Sequence, residues 1–149
     1  MTQPLNDSET ARWTAWKRAN EAVLAAVAQE IHRAAGLSEA DFAVLSRVIE
    51  NGDGRMPQQD LGDMLGWKRP RLSRQLSRMT ERGLVRREDG HGRRMLIAAT
   101  ADGRAALAEA RPAHARAVRR ALLAHTLAPG SDAFWEVIQE ISSAPGVTD

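Results

Sequence analysis

The residues best equipped for chemistry in this 149-residue chain are arginines interleaved with short polar side chains. Leu72, Leu76 and Met79, at i, i+4 and i+7, mark the buried edge of a helix. Advancing about 100° per residue from Leu72 puts Pro70, Arg71, Ser73, Arg74, Ser77 and Arg78 on the opposite face. Gln75 falls on the flank, and Lys68 and Arg69 at the helix entrance. A guanidinium presents a rigid fork of donors that fits the paired acceptors of a guanine edge or a phosphate, and a serine adds a short donor and acceptor. Arg71, Ser73 and Arg74 suit base edges and Arg78 a phosphate. A second cluster, Gly90-His-Gly-Arg93 followed by Arg94, pairs glycines that permit a thin loop with arginines able to enter a minor groove or hold its phosphates. Arg93 and Arg94 alternate along an extended chain, so one of them would reach a nucleic acid.

Charge is segregated accordingly. Gly66 to Arg94 carries ten basic residues against three acidic ones, a net +7, whereas the rest of the chain carries −5. A merely solvated charged face would also be rich in charge. Nineteen of the 21 basic residues are arginine, which a GC-rich genome alone would produce, so the segregation carries the argument rather than the arginine content. Such a basic segment on an otherwise acidic domain is the footprint of a surface for double-stranded DNA.

Other chemistries find little support. With no cysteine there is no disulfide, thiolate nucleophile or cysteine zinc site. No G-x-S-x-G, H-E-x-x-H or phosphate-binding glycine loop occurs, so an enzyme is not expected. His32, His114 and His125 could gather on neighbouring helices, but scattered histidines are usually structural or exposed, and neither a metal nor a cofactor is expected. Trp13 and Trp16 fit either the wall of a ligand cavity or the core of an interface.

The elements that would position these groups follow from periodicity and caps. Residues Ser8 to Ala35 read as a helix with Ser8 as N-cap and Gly36 as stop. Ser38 and Asp41 form a capping pair for a second helix, with Phe42, Leu45, Val48 and Ile49 as its apolar stripe, ending at Asn51-Gly-Asp-Gly54. Pro57 opens a third helix over Gln58 to Leu65, with Leu61, Met64 and Leu65 inward. After a glycine turn comes the arginine helix, from Arg69 or Pro70 to Arg82. Leu84–Asp89 and Arg94–Ala99 read as two strands. Thr100 caps a fifth helix to about His125, interrupted at Pro112, and Ser131–Ser143 forms a sixth with Phe134, Val137, Ile138 and Ile141 on its apolar side. The expected class is mainly α with a small β-hairpin wing: a winged helix-turn-helix domain plus a helical dimerisation lobe.

Four stretches at consistent spacing carry a family likeness: Gly36-Leu-Ser-Glu-Ala-Asp-Phe-Ala-Val-Leu45, Leu61-Gly-Asp-Met-Leu-Gly66, Arg82-Gly-Leu-Val-Arg-Arg87 and Arg93-Arg-Met-Leu-Ile-Ala-Ala-Thr-Ala-Asp-Gly103. Together they resemble the MarR family of bacterial transcriptional regulators over essentially the whole chain. The resemblance implies a homodimer joined through the first, fifth and sixth helices, with 1–36 and 100–149 as dimerisation region and 37–99 as DNA-binding domain. It implies a repressor on a palindromic operator and leaves room for a small-molecule effector. One departure is that His91 stands where the family usually has an aspartate paired to the wing arginine, leaving Glu88 or Asp89 as substitutes. A sequence-indifferent architectural DNA binder is the alternative. The longest apolar run, Ala22 to Ala28, is too short for a bilayer, and the polar first ten residues lack a signal-peptide pattern, so a cytoplasmic location is expected.

Overall fold

The structure is a computed structural model and describes residues 3–92 and 94–144. The first helix, α1 (Asp7–Ala35), is capped by Asn6: its side chain accepts the Glu9 N–H at 3.0 Å, and the Glu9 carboxylate accepts the Asn6 N–H at 2.9 Å. The cap lies two residues before the expected Ser8, because only Asn6 has a glutamate three positions on to close the reciprocal box. Gly36, at φ +66°, ends the helix in the left-handed region that a side chain disfavours. Ser38 and Asp41 form a second capping box for α2 (Glu39–Ser46), after which the chain widens into a π-helical turn over Arg47–Asn51.

Next comes a strand absent from the sequence reading, β1 (Arg55–Pro57), then α3 (Gln58–Leu65) and α4 (Arg69–Glu81). The hairpin follows as β2 (Val85–Asp89) and β3 (Met95–Ala99), with β3 central in the antiparallel order β1-β3-β2. Three residues are too few for a period-2 signal to register, so β1 is defined by its partner: Met56 faces Ile97 and both are buried. Within α3, Leu61 is buried but Met64 is 44% exposed, contrary to expectation. The tight packing there falls instead on Gly62, where a Cβ would come within 3.3 Å of the Leu72 side chain on α4.

The remaining helices are α5 (Ala101–Ala121) and α6 (Ser131–Ser143). Thr100 caps α5, its hydroxyl accepting from the Gly103 N–H at 3.0 Å and donating to the Gly83 carbonyl at 2.6 Å. Gly103 is required here, since a Cβ would lie 2.1 Å from the Leu84 carbonyl oxygen where β2 begins. The helix is not interrupted at Pro112, which is exposed, so the carbonyl it leaves unpaired can face water. It stops at Ala121 rather than His125, and a 3₁₀ turn over Leu123–Thr126 follows. Leu107, Ala110, Ala113 and Ala117 are buried along α5; the alanines let α1 approach closely in the most extensive helix–helix contact of the chain.

A single core joins Ile31, Leu37, Leu45, Leu61, Leu72, Leu76, Met79, Ile97 and Leu107. It secures the C-terminal part of α1 and all the elements from α2 to α5. The N-terminal two-thirds of α1 and the whole of α6 contribute no buried residue.

Candidate nucleic-acid interface

Helix α4 buries Leu72, Gln75, Leu76 and Met79, and this inward edge dictates what faces out. Arg69, Pro70, Arg71, Arg74 and Arg78 are exposed, and Ser73 and Ser77 half-buried beside them. Gln75, expected on the flank of this face, is turned into the protein at 5% exposure and leaves the set of surface contacts. Its inward turn has a polar cause: Asp41, buried at the start of α2, accepts its amide at 2.7 Å.

Arg71, Ser77 and Arg78 are each held by a neighbour. Arg69 begins α4, and the Arg71 guanidinium lies over the Trp67 ring at 4.1 Å from the centroid. Trp67 follows the left-handed Gly66 turn and packs against the core, so this platform is held by the body of the protein. Stacking uses the guanidinium's face and leaves its edge donors free. Arg78 donates to the Gln75 carbonyl oxygen at 2.7 Å. Ser77 donates to the Ser73 carbonyl at 3.0 Å, while Arg74 projects from the same face of α4.

The hairpin is tied to this helix by a residue the sequence reading counted only as charge. Arg87 on β2 donates to the Ser73 carbonyl at 3.1 Å and to the Ser77 hydroxyl at 3.3 Å. A basic residue on a strand gives no periodic signal of which helix it will meet; only the fold supplies that. Towards the turn end of the hairpin, Glu88 bridges Arg55 at 2.8 Å and Arg86 at 2.7 Å. The Arg86 hydrogen bond, then that of Arg55, hold the Glu88 carboxyl below its ordinary range despite partial desolvation. The hairpin narrows at Gly90, whose N–H donates to the Arg94 carbonyl at 2.7 Å. The exposed Arg94 and His91 lie near the tip; Arg93 falls outside the described residues.

Between α3, α4 and the hairpin runs a groove of about 840 Å³. Arg69, Ser73, Arg87 and Arg94 line it, with Trp67 and Leu72 also on its walls and Asp60 and Asp63 on the α3 side. The structure thus brings four of the sequence-predicted residues, Arg69, Arg71, Ser73 and Arg94, to or beside one groove, and sets Arg74 and Arg78 on the same helix.

Trp13 and Trp16 lie elsewhere. They are 51% and 45% exposed and, with Leu5 and Ile141, wall a shallow hollow of about 460 Å³ between α1 and α6. Trp16 is fifteen residues from the buried Ile31, or about 22 Å along the helix. Phe134, Val137 and Ile141 of α6 are 40%, 52% and 51% exposed, continuing an apolar surface. Of the three histidines, His32 and His125 are exposed, and His114 stacks on Phe42 at 4.6 Å. Among the described residues no three histidine, aspartate or glutamate side chains converge as for a metal ion, and no helix is long and apolar enough to cross a membrane.

Comparison with known proteins points in one direction. Residues 35–95, which span α2 to the start of β3, match the sequence pattern of the MarR family. A MarR-family transcriptional regulator from Streptomyces coelicolor, solved in complex with DNA, is 23% identical; the match covers 95% of this chain and 90% of that one, with a TM-score of 0.84. AbsC, a MarR-family transcriptional regulator from the same organism, is 27% identical over 94% of this chain and 93% of its own, with a TM-score of 0.82. BpsR from Bordetella bronchiseptica, whose DNA binding is regulated by 6-hydroxynicotinic acid, is 23% identical over 95% of this chain and 100% of its own, with a TM-score of 0.74. No curated protein matches the chain in sequence.

Proposed function

Because the chain belongs to the MarR family of transcriptional regulators, we propose that it binds DNA sequence-specifically as a homodimeric repressor on a palindromic operator, with a small-molecule effector able to release it. The observation that carries this reading is the convergence of exposed arginines from α4 and the hairpin on one groove. A major groove about 12 Å wide admits α4, so that Arg71, Ser73 and Arg74 meet base edges while Arg69 and Arg78 hold phosphates. The hairpin is the wing, and Arg93 or Arg94 enters the neighbouring minor groove or grips its backbone.

Residues 37–99 serve as the DNA-binding domain, and 1–36 with 100–149 as the dimerisation region. The exposed apolar surface shared by α1 and α6 supports this division, since a lone soluble domain seldom leaves so many large apolar side chains in water. Trp13 and Trp16 are assigned to that interface rather than to a ligand cavity, because they lie beside Ile141 and far from the DNA-binding domain. Dimerisation sets the two copies of α4 about one helical turn, roughly 34 Å, apart. An effector favouring a different spacing by a few kcal/mol would release the operator. The regulation of BpsR by a small aromatic acid supports such a step here.

Fluorescence anisotropy on a duplex from upstream of the protein's own gene, against a scrambled duplex at two salt concentrations, tests the proposal. A preference of about 10³-fold or more, with salt-dependent affinity for both, is expected of a specific regulator. Equal affinity for every duplex, confirmed by genome-wide binding without peaks, would indicate an architectural DNA binder. Failure to bind either duplex at low salt would overturn the reading.

A further inference from the structure

Gln75 is a buried amide in the middle of an arginine-rich helix, and it is bonded at both ends. Its Nε2 donates to Asp41 Oδ1 at 2.7 Å, and its Oε1 accepts from Arg78 Nη2 at 2.7 Å. An amide can be turned either way, but a carboxylate offers only acceptors, so Asp41 fixes the orientation in which Gln75 shows its carbonyl oxygen to Arg78. The carboxylate is held from its other side as well. Its Oδ2 accepts the Ser38 N–H at 2.9 Å and Arg82 Nη1 at 2.6 Å, while Arg82 Nη2 reaches the Gly36 carbonyl at 2.9 Å. A chain of hydrogen bonds therefore runs from the junction of α1 and α2, through the core, to an exposed guanidinium on α4.

We propose that Gln75 is a positioning residue for DNA binding: oriented by Asp41, its carbonyl oxygen pre-orders Arg78 for a DNA phosphate. The inference rests on the DNA-binding reading above and adds to it why a polar residue occupies a core position of α4. A leucine or methionine would fill the space, but would leave Arg78 to be ordered only on contact with DNA, which costs affinity. One guanidinium nitrogen is spent on Gln75, and the remaining N–H donors stay available to the phosphate.

The test compares wild type, Gln75→Met, Arg78→Ala and the double variant for operator affinity across a salt series, well below each thermal midpoint. Gln75→Met is expected to bind about two- to tenfold more weakly, the cost of immobilising one arginine at an interface. Its log–log salt slope should shrink in the same direction as that of Arg78→Ala, for which the loss of one phosphate contact predicts a change of about 0.9. The double variant should bind no more weakly than Arg78→Ala alone. A wild-type slope and affinity in Gln75→Met, or losses that simply add in the double variant, would overturn the proposal while leaving the regulator reading intact. Wild-type protein that bound no duplex would overturn both. Should the methionine variant fail to fold, the wild type itself decides: hindered rotation of the Arg78 guanidinium in the DNA-free protein, seen as separate Nη signals by nitrogen-15 NMR, is expected, and free rotation would overturn the proposal.

Discussion

Asp41 Oδ2 lies 2.6 Å from Arg82 Nη1, joining the first turn of α2 to the C-terminal cap of α4. Asp41 is buried at 3% side-chain exposure while Arg82 is 47% exposed, so the pair is anchored on one side and wet on the other. The same carboxylate also caps α2 and accepts the Gln75 amide. Asp41→Ala therefore removes the carboxylate half of the capping box, a charge-assisted bond and the partner of a buried amide together, while the Ser38 hydroxyl keeps its bond to the backbone N–H at position 41. Urea denaturation should show a loss of about 3 kcal/mol, summing about 1 for the lost bond to the Ser38 N–H and about 2 for a buried donor left unpaired. A loss below about 1 kcal/mol would mean that water replaces the carboxylate without cost.

The stack of Arg71 on Trp67 makes a prediction about discrimination rather than stability. Trp67→Leu keeps an apolar side chain at the turn but removes the ring's negative face, so Arg71 loses its platform. The preference for operator over scrambled duplex should fall by about 1 kcal/mol, roughly fivefold, with Trp67→Phe intermediate. If both variants weakened binding equally on the two duplexes, Arg71 would be a phosphate contact and the stack irrelevant to sequence readout.

The periodic elements were legible because their signals are local. The Ser38–Asp41 capping box, Leu72 with Leu76 and Met79 on α4, and the change to strand period after Gly83 each lie within a few residues. The features that escaped depend on distant partners. Gln75 sits on the angular margin of its helix, and only Asp41, 34 residues earlier, pulls it inward. Met64 follows an inward-facing period yet is exposed, while α4 packs against Gly62 on the other flank of α3. Strand β1 exists because β3 offers it an edge, and Arg87 reaches Ser73 because the hairpin folds back on α4. Charge segregation could mark the surface on which the arginines lie, but it could not say which of them the protein itself holds in place.

A second copy covering the apolar surface of α1 and α6 is tested by one charge. Val137 is 52% exposed in the isolated chain, so Val137→Glu costs little within a protomer. Buried in an interface, the same carboxylate would be an unpaired charge and cost several kcal/mol. Sedimentation velocity should therefore find wild type dimeric and Val137→Glu monomeric at micromolar concentration. Each protomer should keep its helical circular dichroism while operator affinity falls by at least tenfold. A variant that stays dimeric would place the interface elsewhere.

The Glu88 bridges on the wing carry the pH dependence. Glu88 is held below its ordinary range by Arg86 and Arg55. A depressed carboxyl pKa means the folded state favours the charged form, so the stabilisation is present above the unfolded glutamate value, about 4.3, and is lost as pH falls through the lower folded value. The bridge is consequently intact across the neutral range, and titration between pH 6 and 8 should leave its contribution unchanged. Glu88→Gln removes the charge at every pH and frees Arg55 and Arg86. Exposed ion pairs contribute little to global stability, so the thermal midpoint at pH 7 should move by only about a degree or two. Hydrogen exchange of the β2 and β3 amides at pH 7 should nevertheless be faster in the variant than in wild type, with operator affinity falling in parallel. Any change in wild-type affinity between pH 6 and 8 then falls to another group. A response in that window that disappeared in Glu88→Gln would overturn the assignment of this bridge to the charged form.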